Sequence, residues 1–150
     1  MAEPTRRVLV VAHQTAATQP LLEAVRERAA RGGARFHLVV PASAHGLHRV
    51  VDPEDNGAGE AEDALRDALP LLTDAAGSEV TGEIGDGQPL SAIADAINRG
   101  EFDEIIVSTL PHRVSRWLKL DLVSKARGLG LPVSHVEAPV NTEAVGGAPG

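Results

Sequence analysis

Cysteine is absent from this 150-residue sequence, which excludes disulfides, thiolate catalysis and a cysteine-based zinc site. Aromatic side chains are scarce: Phe36, Phe102 and Trp117 are the only ones. The core must therefore be packed from aliphatics, which suits helices laid on a Val/Ile-rich sheet. No apolar run approaches the length of a membrane-spanning helix. The opening run in "MAEPTRRVLVVAH" is also too short for the hydrophobic stretch of a signal peptide. A soluble, cytoplasmic chain with no membrane partner is the expectation. An excess of basic charge is missing as well. The formal net charge is −7, and a general nucleic-acid binder needs a basic face to neutralise phosphates, so no nucleic-acid partner is expected.

What is there is an alternation of short apolar runs with helical periods. The runs are "RRVLVVAH" (about 7–13), "ARFHLVVPA" (about 35–41), "SEVTGEIG" (about 78–84), "DEIIVSTL" (about 103–109) and "LPVSHVEA" (about 132–137). The fourth is the most continuously apolar and is expected to be central. The fifth, with Pro132, Ser134 and His135, fits an edge. Between them, Pro20 suits the first turn of a helix whose Leu21, Leu22, Val25 and Ala29 share a face. A second helix over about 59–76 aligns Ala61, Leu65, Ala68, Leu69 and Leu72, and Pro70 inside it predicts a kink or an early end. The third opens at Pro89 and places Leu90, Ile93, Ala94 and Ile97 on one face. A fourth, about 121–128, uses Leu122, Val123 and Ala126, with Gly128 as its stop. The length is most simply one domain over 1–138, followed by a turn-rich, charge-poor tail at 139–150 that is expected to be mobile.

This pattern predicts an α/β fold: a single doubly wound, five-stranded parallel sheet of Rossmann-like type, covered on both faces. In such sheets ligands bind beyond the carboxyl ends of the strands, where the winding direction reverses. The candidate cleft is accordingly lined by His13, Gln14, Val40, Ser108, Thr109, Arg113 and Arg116. His45, His48 and Arg49 would arrive from the long segment after the second strand, which is long enough to serve as a lid or to pad the sheet edge. From His112 to Arg127 the cations Arg113, Arg116, Lys119, Lys125 and Arg127 stand against Asp121 alone, a local charge of +4 in an acidic chain.

Three stretches resemble the universal stress protein family, in their order and spacing more than singly. "RRVLVVAHQTAATQPLLEAV" looks like that family's opening strand and helix, and "TGEIGDGQPLSAIADAI" like its glycine-bearing turn into the third helix. "FDEIIVSTLPHRVSRWLKLDLVSKARGLGLPVSHV" looks like its closing strand, loop, helix and strand. The resemblance implies an adenine nucleotide alpha hydrolase-like sheet in order 3-2-1-4-5, homodimers through the last strand and, in one branch, bound ATP. That branch carries G-x2-G-x9-G-[S/T] after the fourth strand. Here the spacing is kept, but the four positions read Ser108, Pro111, Asp121 and Leu122. Ser108 adds a Cβ where backbone should approach phosphate, Pro111 has no N–H, and Leu122 lacks the hydroxyl. Asp121, at a helix N-cap, is expected to accept the N–H bonds a phosphate would use and to add like charge beside it. His13 stands where the family's ATP binders commonly place an Asp. Arg113, Arg116 and Lys119 pull the other way, because side chains alone can hold a carboxylate, a sulfate or a nucleotide. On a short helix with Val114, Trp117 and Leu118 turned inward, the same cations would simply be solvated.

Other constellations carry less. His45 and His48 lack further ligands for zinc, so no metal is expected. Gly85-Asp86-Gly87 reads first as a strand-to-helix turn. A receiver domain would need acidic residues where His13 stands. A flavodoxin would need a glycine in "HQTAATQP" and more aromatics than this chain has. No catalytic set is present. The expectation is a non-enzymatic homodimer that senses a ligand or binds a partner, without conventional ATP binding, its ligand a nucleotide or another small anion. An enzyme acting on an anionic or adenylated substrate would show turnover lost on Arg113→Ala or His13→Ala. An adaptor docking an acidic protein would lose that contact on charge reversal at Arg116 and Lys119.

Overall fold

The computed structural model describes residues 5–13, 16, 18–42, 57–100, 102–109 and 121–137. The strands are β1 (Arg6–Val11), β2 (Ala34–Pro41), β3 (Thr81–Gly85), β4 (Glu104–Thr109) and β5 (Val133–Glu137). The helices are α1 (Gln19–Ala30), α2 (Gly57–Ala76), α3 (Pro89–Arg99) and α4 (Leu122–Arg127). All neighbouring strands pair in parallel, in the order β3-β2-β1-β4-β5. The predicted topology is therefore the observed one. The middle strand is β1, while β4 is interior beside it and β5 is an edge.

Val8, Leu9, Val10 and Val11 are all fully buried, which only a sheet covered on both faces permits. Val8 and Val10 join Phe36, Leu38 and Val40 in a cluster closed by Leu21, Leu22 and Val25 of α1 and by Ala68 and Leu72 of α2. Leu9 and Val11 join Val39, Ile105 and Val107 under Ile93 and Ala96 of α3 and Leu122, Val123 and Ala126 of α4. The period-two alternation of strand side chains thus sorts the helices into two layers, α1 and α2 on one side and α3 and α4 on the other.

Two local expectations need correction. Of the two outcomes expected at Pro70, the early end does not occur, for the helix runs through to Ala76. Pro70 and Arg66, whose carbonyl loses its partner, are both exposed, so solvent can reach the freed carbonyl. The third strand begins at Thr81 instead of near 78. Gly77 (φ +75°) closes α2 with its N–H on the Thr73 carbonyl, and the Val80 N–H bonds to Thr73 Oγ1 at 3.2 Å. Residues 78–80 are thereby committed to ending the helix before pairing can start.

Candidate functional site

The winding reverses between β1 and β4, and the segments leaving these two strands define the candidate site. After β1 the chain turns at once, with the Ala16 N–H on the His13 carbonyl at 3.2 Å and His13 itself half-buried. Thr18 then precedes α1, whose second residue is Pro20. Val40 is fully buried, with its side chain in the core beneath α1 and α2. What it offers a ligand is backbone. Ser108 and Thr109 end β4 and are also closed from solvent, at 1% and 2% exposure. Gln14, Arg113 and Arg116 lie outside the described residues, as do His45, His48, Arg49, Lys119, Trp117 and the tail at 139–150.

Thr109 Oγ1 lies 2.8 Å from Nε2 of His135 on β5. Burial pushes the His135 pKa below the ordinary 6.5, with Glu137 raising it and Arg127 lowering it. A hydroxyl against a neutral imidazole is the beginning of a nucleophile–base pair. Here the hydroxyl is sealed in, and the bond ties the last residue of β4 to the edge strand. In the sequence His135 is only a polar residue of an edge strand. Parallel register sets Val107 beside His135 and Thr109 beside Glu137, so the imidazole falls diagonally next to the hydroxyl, a placement that only the register decides.

Asp121 departs from its expected role. It occupies the position before α4, but its side chain makes no capping bond, and its backbone is left-handed at φ 62°, ψ 39°. It is the one non-glycine residue of positive φ among the described residues. In an N-cap the residue is extended, which aims its side chain at the free N–H groups; the left-handed backbone aims it elsewhere. The position thus holds the conformation a glycine takes without strain, with a carboxylate attached. Asp121→Gly is expected to stabilise the fold by about 1 kcal/mol. In a chain of this length that is a rise of about 2–4 °C in thermal midpoint, measurable by calorimetry.

A separate cleft of about 440 Å³ lies at the opposite edge, between β3 and α3, lined by Glu83, Gly85, Asp86, Asp95, Asn98 and Arg99 among others. Its cation is already committed. Arg99 grips both oxygens of Glu83 at 2.8 and 2.9 Å, and Glu83 also meets His37 Nε2 at 2.8 Å. Those bonds, Arg99 first, hold the Glu83 carboxyl below its usual range against the opposing effect of burial. Asp86 accepts the Gln88 N–H at 2.8 Å, so Gly85-Asp86-Gly87 is a strand-to-helix turn. Carboxylates dominate the lining, so an anionic ligand is better served at the switch between β1 and β4.

The sheet order, the two helical layers and this switch point define the universal stress protein fold, of adenine nucleotide alpha hydrolase-like type. Solved structures of that class superpose on nearly the whole chain. The universal stress protein UspA from Lactobacillus plantarum matches with a TM-score of 0.64 at 22% identity, covering 89% of this chain and 99% of that one. The universal stress protein from Archaeoglobus fulgidus matches at 0.63 and 17%, covering 89% and 94%. An Arabidopsis thaliana universal stress protein family protein with AMP bound matches at 0.58 and 16%, covering 90% and 92%. At such identities the likeness is one of fold. No family model matches the chain, and no curated protein does. No helix among the described residues is long and apolar enough to cross a membrane.

Proposed function

We propose that this protein is a non-enzymatic ligand-sensing domain that takes a nucleoside monophosphate or a comparable small anion at the carboxyl ends of β1 and β4. ATP is not held there in the manner of the glycine-bearing branch. The carrying observation is the left-handed Asp121 at the start of α4, which keeps a glycine-type backbone and adds a negative charge to it. A second phosphate or third phosphate brought to that helix start would meet like charge, whereas a monophosphate presents less charge to repel. Structures of this fold in complex with cAMP and with dAMP, besides the AMP-bound plant protein, support the ligand class. The sealed Thr109 hydroxyl supports the absence of turnover through the Thr109–His135 pair. The edge position of β5 supports pairing with a second copy along that strand.

Calorimetric titration with ATP, ADP, AMP and cAMP tests it. AMP or cAMP is expected to bind at least about tenfold more tightly than ATP, the equivalent of about 1.4 kcal/mol. Asp121→Gly is expected to narrow that gap. Sub-micromolar ATP affinity in the unaltered chain would overturn the proposal, as would sustained nucleotide hydrolysis.

A further inference from the structure

The amino end of the sheet, opposite the candidate ligand site, carries an arginine cluster that the proposed function does not use. Arg6 and Arg7 open β1, Arg35 follows the first residue of β2, and Arg31 caps the end of α1; all four are exposed. Arg7 and Arg35 are direct register partners, so their Cα atoms stand about 4.8 Å apart across the ladder. Each falls on the side of its strand that faces α3: Arg7 with Leu9 and Val11, Arg35 with His37 and Val39. Arg6 and Arg31 belong to the other side, where both help to hold the Glu104 carboxyl below its usual range, behind the larger effect of Arg28.

Like charges side by side on one face oppose the fold unless something neutralises them. Arg7 has partial compensation, its guanidinium lying 4.8 Å above the Phe102 ring. Arg6, Arg31 and Arg35 have no ion-pair partner among the described residues. Asp103 is drawn to the Arg7 backbone N–H at 2.9 Å, and Glu104 is taken by Arg28. The four described helices end at this side of the sheet, and cations there would complement their carbonyl ends. That accounts for Arg28, Arg99 and Arg127, which sit in last turns. It does not account for Arg35, a strand residue set directly beside another arginine.

We infer that Arg6, Arg7, Arg31 and Arg35 form a docking surface for an acidic segment of a partner protein, at the end of the sheet remote from the ligand. Guanidinium forks match carboxylates in geometry, and the forks lie on both sides of two adjacent strands. A single small anion spans at most two of them; a chain of several carboxylates spans all four. A nucleic acid would need a longer basic track than these four arginines, and Asp103 interrupts the patch. A membrane surface is disfavoured because none of the four arginines has an exposed large apolar side chain next to it in sequence; the two such side chains among the described residues are Leu71 and Leu129.

The test is titration of the isotope-labelled full chain with a hexaglutamate peptide, at about 20 mM and about 150 mM salt, following arginine side-chain resonances. Saturable shifts confined to Arg6, Arg7, Arg31 and Arg35 are expected, with affinity falling about tenfold or more at the higher salt. Arg7→Glu with Arg35→Glu should remove binding, and the milder Arg7→Gln and Arg35→Gln should each weaken it about threefold with the fold intact by circular dichroism. Arg66→Glu on α2 should leave it unchanged. No saturation by about 1 mM peptide at low salt overturns the inference, at roughly −4 kcal/mol or weaker. So do shifts centred on Lys125 and Arg127, or tighter binding to polyuridylate or to phosphatidylserine vesicles than to the peptide.

Discussion

Gly85→Val is expected to lower stability by about 2–3 kcal/mol, read as a fall of roughly 5–10 °C in thermal midpoint. Gly85 ends β3 beneath α3, and a Cβ placed there would stand 2.8 Å from Val39 Cγ1 and 2.9 Å from Ala92 Cβ. Neither neighbour can step aside. Ala92 has no rotamer to change, and Val39 is fully buried. The helix itself must lift from the strand, which opens the apolar layer that Ile93 and Ala96 close. The glycine is thus required for closeness, and its backbone is one any residue could adopt. Gly82, three residues earlier, is the control. A Cβ there would meet the ends of Leu65 and Leu69, which can rotate away, so Gly82→Ala should cost under about 1 kcal/mol. Equal losses at the two positions in chemical denaturation would refute the distinction.

Arg28→Ala is expected to cost about 1–2 kcal/mol. Its guanidinium donates from Nε to both oxygens of Glu104 at 3.0 and 3.1 Å and from Nη2 to Oε2 at 2.8 Å, pinning the end of α1 to the start of β4. The side chains are only 9% and 21% exposed. The pair is nevertheless shallow, with little protein beyond it, so solvent screening holds the cost below that of breaking a deeply buried pair. The hydrogen bonds from Arg28, more than the opposing burial, keep the Glu104 carboxyl below its ordinary 4.5. A carboxyl depressed in the folded state contributes stability that is complete above its unfolded value and is lost as pH falls through the folded one. The loss from Glu104 and Glu83 therefore begins below about 4.5. His135 acts earlier. Its pKa is lowered by burial, so the unfolded chain takes up the proton first and stability starts to fall just below 6.5. Denaturant midpoints from pH 8 downward should show both limbs. Arg28→Ala should flatten the lower and His135→Gln the upper; a single limb unaffected by either would contradict this account.

The unequal legibility of the chain has a common cause. The strand and helix order was readable because period-two and period-3.6 spacings are local, and Val8–Val11 already required cover on both sides. The candidate site was readable in outline, since the topology places the ends of β1 and β4 together whatever residues stand there. Its chemistry was less so. Asp121 has the composition of an N-cap, and only its backbone dihedrals distinguish a capping aspartate from one seated in a glycine-type turn. Ser108 and Thr109 look like polar lining in the sequence, and only the folded chain closes them from solvent.

The sequence by itself determined the alternation of elements, the parallel sheet and its double cover, because each rests on spacings within a few residues. Tertiary structure alone decided which charges meet. Arg28 finds Glu104 across 76 positions, His37 finds Glu83 across 46, and Arg7 comes to lie beside Arg35. Such meetings depend on strand register and on where each helix comes to rest, and those are set by the packing of the whole core.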